Sequence, residues 1–239
     1  MAGFVLVHGA WHGGWCWEKL TRALREAGHE VLAPDLPGHG SDRTPHAQVD
    51  LQAYSDRICE AVDSFPGDVV LVGHSLGGLT ISQVAEHRPD RLRALVYLAA
   101  FVPEPSGGVA DTTTAVSDGI REATSLSEDG SSIHFDPERV RAIFYADCSE
   151  EDLALAQANL CSQPAPVFRS ALALSDDGYG RVPRDYIVCL EDMAVLPEAQ
   201  RAMARQGGCR NLYSMDCSHS PFFSAPGELA KILGEIADA

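Results

Sequence analysis

Three side chains in this sequence have the types and the chain order needed for covalent catalysis at a carbonyl. Ser75 stands in Gly73-His74-Ser75-Leu76-Gly77, a match to G-x-S-x-G. A serine hydroxyl attacks only when a base takes its proton, and a third group must hold that base in one tautomer. His219 is the candidate base and Asp192 the candidate orienting acid. Each of the three falls at the carboxyl end of a separate predicted strand, where open α/β sheets bind their ligands. Main-chain N–H groups would hold the oxyanion that such an attack creates. The expected donors are Leu76, directly after the serine, and Ala10, on the Gly-rich loop that follows the first strand.

Rivals exist for each role. Glu191 adjoins Asp192, but on a strand the two point to opposite sides, so only one can serve, and Asp192 is the better placed. Asp216 stands too close in sequence to His219 to orient it. His8 and His12 have i,i+4 spacing on a Gly-rich loop rather than a helix, and no H-E-x-x-H is present, so no metal site is expected. His39 and His74 sit beside loop glycines and read as structural hydrogen-bonders. Neither G-x-G-x-x-G nor G-x-x-x-x-G-K-[ST] occurs, which argues against a nucleotide, and no cofactor is expected.

The elements that must position these groups follow from apolar patterning. Residues 69–72 form a fully apolar run that reads as a strand buried on both faces, and a helical segment follows over 79–87. Strand, sharp turn and helix form the context in which a serine is presented above a sheet. Earlier in the chain come a strand at 4–7, a helix over 17–27, a strand at 31–35 and a helical face over 51–65; a strand at 93–102 comes after the serine turn. This alternation predicts a mostly parallel sheet with helices on both faces. From 104 to 183 the alternation stops, and two helices are expected there, one opened by Asp136-Pro137 and one capped by Ser149. The segment reads as a strandless, helical cap, inserted before the penultimate strand as a functional lid. The pattern resumes with a strand over 185–190, a helix over 197–206, a strand over 211–215 and a helix from about Pro226. Residues 1–103 and 184–239 are therefore assigned to an α/β core.

Composition narrows the partners. A formal charge of −16 argues against nucleic acid and against anionic membrane surfaces. The longest apolar run, Ala94 to Val102, is too short to span a bilayer. No basic n-region precedes the first strand, and the seven cysteines are odd in number with no C-x-x-C pair, so a reduced, cytoplasmic protein is expected. A monomer or homodimer is expected.

These segments together resemble the α/β-hydrolase superfamily, and within it the branch of plant methylesterases, α-hydroxynitrile lyases and their bacterial esterase relatives. The likeness rests on Phe4 to Trp15, Gly73-His74-Ser75-Leu76-Gly77-Gly78, Tyr186 to Asp192, and Asp216-Cys217-Ser218-His219-Ser220-Pro221-Phe222. It implies the α/β-hydrolase fold, with Ser75, Asp192 and His219 as a triad and Ala10 and Leu76 as oxyanion donors. Where the lyases of this branch carry Thr and a Lys after the histidine, this chain has Gly9 and Ser220. The cap contains no Trp, unlike that of the plant esterases. The activity implied is hydrolysis of a small to medium, fairly apolar carboxylic ester through an acyl-enzyme. A lyase using the same triad and a ligand-binding protein on the same fold are the alternatives. Dehalogenase and epoxide hydrolase chemistry is disfavoured, because both need Asp where Ser75 stands. Substrate contacts are expected from Trp11, Phe101, Phe144 and Phe222.

Overall fold

The apolar runs become the strands of one six-stranded, all-parallel sheet in the computed structural model, which describes residues 1–103 and 108–239. The first half of the core runs β1 (Gly3–Val7), α1 (Glu18–Glu26), β2 (Glu30–Leu32), α2 (Leu51–Asp63), β3 (Val69–His74), α3 (Gly77–His87) and β4 (Leu92–Leu98). The cap follows, with α4 (Val109–Thr112), α5 (Asp118–Glu122), β5 (Thr124–Leu126), β6 (Ser132–Phe135), α6 (Val140–Phe144), α7 (Glu150–Asn159) and β7 (Gln163–Pro164). The core then closes with β8 (Arg184–Cys189), α8 (Pro197–Gln206), β9 (Asn211–Met215), α9 (Pro221–Ser224) and α10 (Pro226–Asp238). Strand order is β2-β1-β3-β4-β8-β9. Val5, Leu6, Val70, Leu71, Val72, Leu95 and Val96 are wholly excluded from solvent, as residues covered on both faces of a sheet must be. Helices α1 and α10 pack as one pair and α2 and α3 as another.

The cap departs from the strandless, all-helical expectation. Its strands β5, β6 and β7 form a separate antiparallel sheet. The hairpin between β5 and β6 turns at Asp129-Gly130, where Gly130 adopts φ 69° and the Asp129 carboxylate accepts hydrogen bonds from Ser127 Oγ and Ser131 N. These strands are two to four residues long, and β5 and β6 flank the polar stretch Ser127 to Ser131, so their short alternation is hidden inside what reads as loop. The two expected helices are present: Ser149 Oγ accepts from Asp152 N at 3.2 Å and so caps α7, and Asp136 caps the turn that leads into α6. The second strand stops at Leu32 rather than at residue 35, short of Pro34, which has no N–H to donate. Strand β4 ends at Leu98 rather than 102, and of Pro103-Glu104-Pro105, which the sequence offers as its stop, Glu104 and Pro105 lie outside the described residues.

Candidate active site

Ser75 occupies the turn between β3 and α3 with φ 51°, a left-handed conformation that costs a non-glycine residue free energy. The turn is held from both sides: Ser75 N donates to Leu98 O, and Ser75 O accepts from Gly78 N and Phe101 N. A Cβ on Gly77 would stand 2.7 Å from Val7 O, so only glycine lets α3 start this close to β1. Trp11 (φ 62°) and Ala99 (φ 44°) are the other non-glycine residues with positive φ among those described. All three follow the carboxyl ends of adjacent strands, so backbone strain is concentrated at one end of the sheet.

His219 sits on the loop after β9 and is almost fully buried. Its Nδ1 lies 2.7 Å from Asp192 Oδ2. Asp192 lies in the turn after β8, not on the strand, and its side chain is fixed by that turn. Oδ1 accepts from Ala194 N at 2.7 Å and Val195 N at 3.0 Å, and Oδ2 accepts from Gln200 Nε2 at 2.9 Å. Glu191 and Asp216 are exposed, whereas Asp192 and His219 are buried. His219 Nε2 and Ser75 Oγ make no hydrogen bond among the described residues.

Behind His219, His74 donates from Nε2 to the His219 carbonyl at 2.9 Å, and the two rings stand 4.4 Å apart. From the cap, Asp147 accepts from Ser218 N at 3.0 Å and from the Ser218 hydroxyl. Burial pushes the Asp147 carboxyl up, but the Ser218 bonds outweigh it and hold it below the usual range. Neither Gln200 nor Asp147 was recognisable from sequence, because each works only through a contact that folding creates.

The loop after β1 carries the other half of the site. The N–H groups of Ala10 and Leu76 donate to no protein acceptor among the described residues, and both residues line the same cavity as Ser75. His8 Nδ1–H donates to Gly9 O at 2.8 Å, while its Nε2 accepts from Leu36 N at 3.1 Å. A trans peptide points its N–H opposite to its C=O, so anchoring Gly9 O also aims the Ala10 N–H. Burial lowers His8 to a pKa of about 4 and keeps the ring neutral. With both His8 nitrogens committed, and both of His12 as well, neither ring is available to a metal ion. His39 bonds to His12 O and to the Tyr54 hydroxyl, in keeping with a structural part.

The cavity has a volume of about 170 Å³ and is mostly apolar. Trp11, Phe101 and Phe144 line it, with Phe168, Val116 and Ile133 from the cap. Phe222 does not. It is fully buried behind the site, 4.7 Å from the Trp17 ring and 4.9 Å from His74, because α9 turns its ring into the core. No described helix is long and apolar enough to cross a membrane.

Comparison with known proteins agrees with this architecture. The Alpha/beta hydrolase family model matches residues 4–232. Methylesterase 1 of Arabidopsis thaliana is 34% identical over 254 residues, covering 98% of this chain and 95% of that relative. The crystal structure of polyneuridine aldehyde esterase superposes with a TM-score of 0.91 at 29% identity, covering all of both chains. A pyrethroid hydrolase from Sphingobium faniae superposes with a TM-score of 0.90 at 28% identity, over 100% of this chain and 98% of that one. With a serine on the turn after the third strand, a buried His–Asp pair, and full-length similarity to esterases, the chain belongs to the α/β-hydrolase family.

Proposed function

We propose that this protein is a serine esterase that hydrolyses a small to medium, apolar carboxylic ester through an acyl-enzyme. His219 takes the Ser75 proton at Nε2 as Oγ attacks the carbonyl carbon, and Asp192 holds the Nδ1–H so that the Nε2 lone pair faces the serine. The Ala10 and Leu76 N–H groups bind the oxyanion of the tetrahedral intermediate. Collapse of that intermediate transfers the proton from His219 to the leaving alkoxide and releases the alcohol. Water deprotonated by the same Nε2 then attacks the acyl-serine and frees the acid. The single observation that carries this reading is Ser75 on its strained turn, facing an apolar cavity beside two main-chain donors that have no acceptor among the described residues.

The relatives' names include methylesterases, which favours a small alcohol and leaves the apolar cap residues Phe144, Phe168 and Val116 to receive the acyl part. Two positions weigh against a hydroxynitrile-lyase reaction. A Cβ on Gly9 would stand 2.9 Å from Ser75 Cβ, so this backbone has no room for a threonine there. Ser220, where the lyases carry Lys, is fully buried and brings no positive charge.

Stopped-flow hydrolysis of p-nitrophenyl acetate, with Ser75→Ala in parallel, tests the reading. A burst of about one equivalent of nitrophenol, abolished in the variant, is expected. Turnover that persists unchanged in Ser75→Ala would exclude the serine route.

A further inference from the structure

We propose that His12 and Tyr145 form a positioning relay through which the cap fixes the main chain that carries the Ala10 oxyanion donor. The inference rests on the esterase reading for what the relay serves; the relay itself rests on geometry. His12 Nδ1 lies 2.7 Å from Ala10 O, and His12 Nε2 lies 2.6 Å from the Tyr145 hydroxyl. A carbonyl only accepts, so Nδ1 must carry the proton. In a neutral ring Nε2 is then bare, and the Tyr145 hydroxyl donates to it. Burial keeps the ring neutral, lowering His12 to a pKa of about 3.

Two histidines thus pin the two peptides that flank Ala10: His8 holds Gly9 O, and His12 holds Ala10 O. The second pin matters because the next residue, Trp11, is held at φ 62°. A flip of the Ala10–Trp11 peptide would return Trp11 to ordinary backbone space, at the cost of the His12 bond. The same flip would change ψ at Ala10, so the His12 bond holds the backbone conformation of the donor residue. His12 acts through Ala10 and touches no reacting atom, so it is a positioning residue.

Tyr145 brings the cap into this arrangement. It follows Phe144, which lines the cavity, and it is wholly excluded from solvent. Its ring stacks on His12 at 5.9 Å and packs against Phe223 at 5.6 Å. Placement of α6 over the cavity and placement of the oxyanion loop are therefore coupled through one hydroxyl.

The test separates the donor from the ring. His12→Phe keeps an aromatic ring and removes the donor. It is expected to lower kcat for p-nitrophenyl acetate about 10- to 100-fold, less than outright deletion of a donor, with KM within about twofold. Affinity for phenylboronic acid, which forms a tetrahedral adduct on the serine, should fall in parallel. His12→Asn offers a side-chain N–H near the place of Nδ1–H and should retain kcat within about fivefold. Tyr145→Phe should cost about 3- to 10-fold alone and nothing further when combined with His12→Asn, as expected for residues acting in series. A His12→Phe loss confined to KM, or a kcat within twofold of the wild type, would overturn the relay. Nitrogen-15 spectra of the wild-type protein decide independently of activity: the relay requires the Nδ1–H tautomer at His12, and finding Nε2–H ends it. Absence of wild-type turnover would count against the esterase reading alone, leaving the tautomer to judge the relay.

Discussion

His219 Nδ1 and Asp192 Oδ2 stand 2.7 Å apart with both side chains at 1% exposure or less, and Asp192 has no lone pair left to satisfy from solvent. Asp192→Asn keeps the shape but turns an acceptor into a donor. With an amide N–H facing it, His219 must accept at Nδ1 and carry its proton on Nε2, where it can no longer take one from Ser75. The expected loss in kcat is about 10³- to 10⁴-fold. Glu191→Gln, at an exposed neighbour, should leave kcat within about twofold. Steady-state hydrolysis of p-nitrophenyl acetate by the two variants checks this, and a larger loss from the Glu191 change would reverse the assignment.

Gln200 on α8 is expected to serve both stability and rate. Its Nε2 donates to Asp192 Oδ2 at 2.9 Å and to Val195 O at 2.7 Å, and its Oε1 accepts from Cys189 N at 3.0 Å. Gln200→Leu fits the space but leaves the buried Cys189 N–H and Val195 carbonyl without partners, at a cost of about 1–3 kcal/mol. A lower urea midpoint with an unchanged m-value should report that cost. The loosened Asp192 should also lower kcat more than KM. A variant as stable and as fast as the wild type would make Gln200 a bystander.

What could be read from sequence, and what could not, divides along a physical line. Val69 to Val72 running into Gly73-His74-Ser75 announces a buried strand and a sharp turn, because both signals are local and strong. Ser75, Asp192 and His219 are candidates because each stands after a predicted strand, and the observed β3, β8 and β9 put them at one end of the sheet. Asp192 lies beyond the end of β8, so the turn hydrogen bonds from Ala194 and Val195 orient it, not strand alternation. Gln200, Asp147 and Tyr145 carry no local signal, because each partner lies on a different element. The cap hairpin turns at Asp129-Gly130, yet flanking strands of three and four residues give too little alternation to outweigh a loop. Phe222 is expected to contact substrate, but α9 turns its ring into the core against Trp17 and His74.

Acid should destabilise this fold sooner than its carboxylates alone would require. Burial lowers His8 to about 4 and His12 to about 3, and pushes His39 and His74 down as well. As pH falls below the unfolded histidine value of about 6.5, the unfolded chain binds protons that the folded protein refuses. Stability therefore declines with falling pH, from about 6.5 downward until the folded groups themselves titrate. Each such histidine contributes on the order of 1 kcal/mol per pH unit within that window. Urea denaturation at pH 7 and pH 5 should show a clear drop in midpoint. Equal midpoints would mean that these rings are not held neutral.

Phe144 should set the acyl length that the cavity accepts. Its ring lines the cavity, stands 5.6 Å from the His219 ring, and also borders a second cavity of about 260 Å³ beside His134 and Leu160. Trp11 borders both cavities too, and its indole N–H is tied to Ile133 O at 3.0 Å, so Phe144 is the half of the partition that substitution can open. Phe144→Leu removes the ring yet keeps an apolar side chain, which limits the stability loss relative to alanine. The variant should gain about 3- to 10-fold in kcat/KM for p-nitrophenyl octanoate relative to the acetate, in line with what added hydrophobic contact gives in a specificity pocket. Acetate hydrolysis itself should change little, because Ser75, His219 and the two N–H donors are untouched. An unchanged octanoate-to-acetate ratio would show that the acyl chain does not run towards Phe144 and would direct attention to Phe168 and Val116, which also line the cavity.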